Sequence, residues 1–127
     1  IHQNKISTID LTGLQKLEEI KMLQNAVSKV NISNLPNLVH IEFQKNMLTE
    51  FNVVGCPAVK LIRLDENQLS KLDFSKFTDL EELSLRDNPL VDLNVYGLRE
   101  LKQLDCSYTH LSNVNMSGTV SLEKMEW

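Results

Sequence analysis

The sequence predicts a solenoid of short stacked coils, with parallel strands on two sides and little helix. Three observations predict it. Apolar residues recur in register every 21 residues along the chain. An asparagine recurs with the same spacing. Within each period apolar and polar residues alternate twice, once before that asparagine and once after it. A fixed period in the range of about 20–50 residues is the mark of a repeat architecture, because one such unit cannot bury its apolar face alone and neighbours must stack on it.

The periods start at Leu17, Leu38, Val59, Leu80, Leu101 and Leu122, so residues 1–127 read as a single array of about six 21-residue coils. The fourth place holds Ile20, Ile41, Ile62, Leu83, Leu104 and Met125. The sixth holds Ile1, Met22, Phe43, Leu64, Leu85, Cys106 and Trp127. Fourth and sixth places flank a polar residue, which is the period-two pattern of a half-buried strand. Successive coils then pair these strands in parallel, and a right-handed crossover is expected.

The ninth place is Asn4, Asn25, Asn46, Asn67, Asn88 and Thr109. Here the chain turns sharply and its backbone groups face inward, where each needs a partner. An asparagine side chain both donates and accepts, so it can tie the turn to the next coil. Thr109 offers fewer bonds, and the last full turn should be the least well satisfied. Pro89 falls just past the ladder, where its missing donor should do no harm.

The eleventh place then returns to apolar residues, from Ile6 to Leu111. The fourteenth and sixteenth places alternate again, as in "KLDFSK" and "DLNVYG". That is a second short strand or extended segment, and the Ser, Asn and Gly that follow disfavour a helix. Gly13, Gly55, Gly97 and Gly118 share the eighteenth place and mark a turn. The chain begins and ends at the sixth place, with Ile1 and Trp127. This reads as a fragment of a longer chain in which Trp127 plugs the last coil. Edge-to-edge self-association through the open strands is the alternative.

These places spell LxxLxLxxNxL in every coil from Leu17 to Leu111, which resembles a leucine-rich repeat. "LSKLDFS" (Leu69 to Ser75) and "LKQLDCSYTHL" (Leu101 to Leu111) are similar to the bacterial 21-residue variety called IRREKO, and more distantly to the internalin-like repeats of adhesins. Asn31, Asn52, Asn94 and Asn115 stand where that variety has aspartate, and Thr109 where it has the ladder asparagine. The departures bear on the geometry of the second arm rather than on the fold. The resemblance implies a leucine-rich-repeat solenoid, and a secreted or cell-surface location in a bacterium. Strands on both sides have one spacing, about 4.8 Å, so the array should follow a shallow arc.

Composition narrows the function. The charge of −4 comes from 13 basic and 17 acidic residues with no basic run, which argues against nucleic acid as a partner. No apolar run approaches the roughly 20 residues of a membrane helix. No cofactor or metal motif is present. His2, His40 and His110 fall at different places in different coils. Asp10 and Asp73, in an otherwise amide-rich column, are about 15 Å apart at the strand spacing, too far to share calcium. Cys56 and Cys106 occupy core places more than two coils apart, beyond the roughly 7 Å reach of a disulfide. Ser107-Tyr108-Thr109-His110 has no nucleophile elbow and no third acid, so no catalytic residue is assigned.

The third, fifth and seventh places point away from the core. They present Glu19, His40, Leu61, Glu82 and Gln103; then Lys21, Glu42, Arg63, Ser84 and Asp105; then Leu23, Gln44, Asp65 and Arg86, with Tyr108 and Val39 at the flanks. Lys21, Glu42 and Arg63 alternate in sign on adjacent strands, as do Asp65 and Arg86. The bland reading is a self-satisfying ladder that keeps the sheet soluble. The functional reading is a polar docking face. The scarcity of aromatic residues favours a protein or peptide partner over a glycan. The expectation is therefore a non-catalytic binding module. A structural spacer on a bacterial surface, or the substrate-selecting domain of a larger enzyme, is the alternative.

Overall fold

The computed structural model describes residues 4–127. Ile1 and His2 lie outside the described residues. Among the described residues the chain forms a β-solenoid of eleven strands and no helix. The front strands are β1 (Glu19–Lys21), β3 (His40–Glu42), β5 (Leu61–Arg63), β7 (Glu82–Ser84), β9 (Gln103–Asp105) and β11 (Lys124–Glu126). The return strands are β2 (Lys29–Ser33), β4 (Glu50–Val54), β6 (Lys71–Asp73), β8 (Asp92–Asn94) and β10 (Asn113–Asn115).

The six front strands form one parallel sheet in the order β1-β3-β5-β7-β9-β11. Its register is the sequence period: Ile20 faces Ile41, Ile41 faces Ile62, and Ile62 faces Leu83. The alternating pattern is realised directly, because Ile41, Phe43, Ile62, Leu64, Leu83 and Leu85 are all buried while their neighbours face out. Each such side chain contributes about 1.5–3 kcal/mol of burial. Leu48, Leu69 and Leu90 close the core behind the ladder, and Leu38, Val59, Leu80 and Leu101 close its other end.

Asn46, Asn67 and Asn88 tie their turns to the preceding coil, not to the next. The Asn67 amide donates to the carbonyls of Phe43 at 2.9 Å, Leu64 at 3.0 Å and Asp65 at 3.2 Å. Its own carbonyl accepts the Leu48 N–H at 2.9 Å. Asn46 and Asn88 repeat the pattern. The Asn25 amide donates to Leu23 O at 3.0 Å. Thr109 makes one such bond, from its hydroxyl to Cys106 O at 2.7 Å. The last turn is thus the poorer one, and the loss falls on the coil before it. Pro89 also costs a bond. Ala26, Met47, Gln68 and His110, at the same place in the other coils, each donate to the coil before them.

The residue before each ladder position from Asn25 to Thr109 adopts a left-handed backbone: Gln24, Lys45, Glu66, Asp87 and Tyr108, with φ of 53–57°. Non-glycine residues hold this conformation only where the surroundings compensate for its cost. Here it turns four of their N–H groups toward the next coil, as in Lys45 N–H to Asp65 O at 3.0 Å and Glu66 N–H to Arg86 O at 2.8 Å.

The return side is not one sheet. β2 pairs with β4, and β6, β8 and β10 pair together, but β4 and β6 do not pair. The corner after the strand varies between coils, though not by side of the seam, since Asp10 accepts the Thr12 N–H at 2.9 Å. Asp73, Asn94 and Asn115 accept the backbone N–H two residues on, at 2.9, 3.1 and 3.3 Å. The Asn52 amide donates to Asn31 at 3.1 Å, as that of Asn94 does to Asp73 at 3.2 Å, but the strands of the first pair run on to Ser33 and Val54. The second arm is therefore not uniform, but asparagine against aspartate does not decide it. Three of the four phenylalanines of the chain sit at the seam. Phe51 and Phe74 have ring centroids 6.2 Å apart, and Phe74 and Phe77 are 5.9 Å apart. Aromatic pairs favour such separations, and that of Phe51 and Phe74, which crosses the seam, exceeds the strand spacing of about 4.8 Å.

Trp127 does not plug the last coil: it is 57% exposed.

Candidate binding face

The front sheet places Glu19, His40, Leu61, Glu82 and Gln103, and in the next row Lys21, Glu42, Arg63, Ser84 and Asp105, on its outer side. Leu23, Gln44, Asp65 and Arg86 follow directly on the ends of the strands, and Tyr108 sits at the final left-handed corner.

An open depression of about 570 Å³ runs across this face. It brings together Leu23, Gln44, Arg63, Asp65, Glu82, Ser84, Arg86, Gln103 and Asp105. It also takes in Lys45, Glu66, Lys124 and Glu126 at its margins. Glu19, Lys21, His40, Glu42, Leu61 and Tyr108 do not line it. Glu19, Lys21, His40 and Glu42 form a separate network on the first two strands. Lys21 bridges Glu19 at 3.1 Å and Glu42 at 3.5 Å, and His40 Nδ1 lies 3.1 Å from Glu19.

The pairing on the face departs from simple alternation. Arg63 turns away from Glu42 and bonds Glu82 at 2.7 Å. That contact raises the Arg63 pKa. The Arg86 guanidinium does not pair with Asp65. It lies over the Tyr108 ring, 5.0 Å from the centroid. What Asp65 receives is the Ser84 hydroxyl and the Arg86 backbone N–H, the latter at 3.1 Å. Burial pushes the Asp65 carboxyl above its usual range against those two bonds, and the Asp105 charge adds to the rise. Asp105 in turn accepts the Ser107 N–H at 2.8 Å and the Ser107 hydroxyl at 2.5 Å. The Gln44 side-chain oxygen is buried without a hydrogen-bond partner.

A second charge ladder, at the entrance to the strands, escaped the sequence reading. Glu81 bridges Lys60 at 3.0 Å and Lys102 at 2.7 Å. The signal was present, since the second place alternates in sign from Lys60 to Glu123. It lay beside the outward columns rather than in them. These contacts hold the Glu81 carboxyl below its usual range, the bond from Lys102 most of all. Exposed pairs of this kind stabilise little, about 0–1 kcal/mol each.

Of the charged groups on the depression, Arg63 and Glu82 pair with each other, as do Lys124 and Glu126, Asp65 and Asp105 are held by hydrogen bonds from backbone and hydroxyl groups, and Arg86 lies over the Tyr108 ring. Comparison with protein-family models, with curated proteins and with solved structures finds no match to this chain.

Proposed function

We propose that the chain is a non-catalytic binding module of leucine-rich-repeat type, with a right-handed coil and a shallow arc, that takes a protein or peptide partner on its front sheet. The observation that carries this reading is the Arg86–Tyr108 pair, whose arginine lines the depression. Tyr108 is 72% exposed, and arginine and tyrosine are the residue types enriched where interfaces concentrate their energy. Both signs of charge line the depression, so a partner segment with its own mixed charges would find complements there. The LxxLxLxxNxL pattern supports the repeat type, and through it a secreted or surface location in a bacterium.

The test is selection from a random peptide library displayed on phage, with the wild-type chain as bait. Peptides should be recovered that lose at least about tenfold in affinity for the combined Glu42→Ala, Arg63→Ala and Arg86→Ala variant. Recovered peptides that bind the variant as well as the wild type would contradict the docking face. A second reading, a spacer, is favoured by the Lys60–Glu81–Lys102 ladder and the Lys21–Glu19–His40 network, in which the surface satisfies itself. It predicts that the selection recovers nothing.

A further inference from the structure

The break in the return sheet is local and one-sided. On the front, β3 and β5 pair without interruption across the same two coils. At the turn, Asn67 still holds Phe43 and Leu48 of the coil before it. The next bond, Gln68 N–H to Leu48 O at 2.9 Å, is also made. Beyond it the pattern stops. In other coils Thr49 donates to Ser28, Val91 to Ser70 and Ser112 to Val91, yet Ser70 does not donate to Thr49. Phe74 donates to Asn94 and Val95 to Asn115, yet the matching bond from Val53 to Asp73 is missing. A groove of about 250 Å³ opens there, lined by Val53, Gly55, Pro57, Lys76 and Phe77 among others.

We propose that this seam is a hinge: the return side opens and closes between β4 and β6, with the β3–β5 pair as the hinge line. The aromatic contact across the seam on the return side is that of Phe51 with Phe74, whose ring Phe77 of the same coil supports at a tilt, and such apolar contact is non-directional and can slide. The front sheet and the ladder, which are directional, stay closed. Closing and opening then bend the front sheet along a line that crosses the depression, because Leu23 and Gln44 lie before it and Arg63, Asp65 and Arg86 after it. The bend changes the shape of the depression, whatever occupies it.

Amide hydrogen exchange of the wild-type chain, followed residue by residue by NMR in low urea, tests this without a variant. Gln68 N–H is the last cross-coil bond before the seam, and Met47 N–H, bonded to Val27 O at 3.0 Å, is its match one coil earlier. After correction for intrinsic rates, Gln68 should exchange at least about tenfold faster than Met47, with a shallower dependence on urea, as local opening requires. Equal protection and equal urea dependence at the two amides would overturn the hinge.

Discussion

The Asn88 side-chain amide donates to the Leu64 carbonyl at 2.9 Å, reaching back 24 residues to the coil before its own. The same amide holds Leu85 O at 3.0 Å, and the Asn88 carbonyl takes the Leu69 N–H at 3.1 Å. One buried side chain thus satisfies backbone groups of two coils that packing alone would leave without partners.

Asn88→Ala should therefore destabilise the fold well beyond the loss of its own side-chain contacts. Several buried backbone groups lose their partner at once, and the cost is about 3 kcal/mol. Urea unfolding followed by circular dichroism measures it. A cost below about 0.5 kcal/mol would show that the ladder is decoration.

The converse change should stabilise. Thr109 fills the ladder place with a single bond to Cys106 O. In Thr109→Asn the amide gains the reach to Leu85 O and the carbonyl gains the Leu90 N–H, by the pattern of the coils before. A gain of about 1 kcal/mol is expected in the same unfolding experiment.

Asp65 sets a pH dependence opposite to that of Asp73 and Asp92. Its folded pKa is raised, chiefly by burial, so its contribution to stability is complete below its unfolded pKa and is lost as pH rises through the folded value. Asp73 and Asp92 run the other way. Hydrogen bonds from Ser75 and Asn113 lower them, so their contribution is present above the unfolded pKa and is lost as pH falls through the folded value. Asp65→Asn keeps an acceptor for Ser84 and Arg86 and removes the buried charge. Its melting temperature should exceed that of the wild type at about pH 7, and the advantage should shrink toward about pH 3.5.

Cys106 should be inert in the folded chain. Burial, with a smaller effect from the Asp105 charge, pushes its thiol up to about 12. The thiolate is the reactive form. Iodoacetamide at about pH 8, with peptide mapping, should modify Cys106 at least about a hundredfold faster in denaturant than in buffer.

The period, the core places and both sets of strands were legible because each rests on a pattern that side-chain chemistry enforces. Ile41, Ile62 and Leu83 cannot be anywhere but inside, and they recur in register. The direction of the ladder was not legible, because an asparagine bonds equally well to either neighbour and only the path of the turn decides. The left-handed corners at Lys45, Glu66 and Asp87 carry no glycine to announce them. Pro89 looked harmless because its place seemed outside the bonding pattern, whereas the matching Gln68 and His110 both donate. On the face, alternation of sign suggested an Asp65–Arg86 pair. The guanidinium instead found the Tyr108 ring, from a column that the alternation did not include. The seam depends on three phenylalanines from two adjacent coils meeting in space, and no single column of the period displays that.

Each coil lies on the next in a register of 21 residues. Backbone NOEs across the front sheet measure that register directly. Cross-strand contacts should link Ile20 to Ile41, Ile41 to Ile62, Ile62 to Leu83 and Leu83 to Leu104, in the parallel pattern. Contacts in an antiparallel pattern, or sequential amide contacts of a helix through residues 38–64, would contradict it.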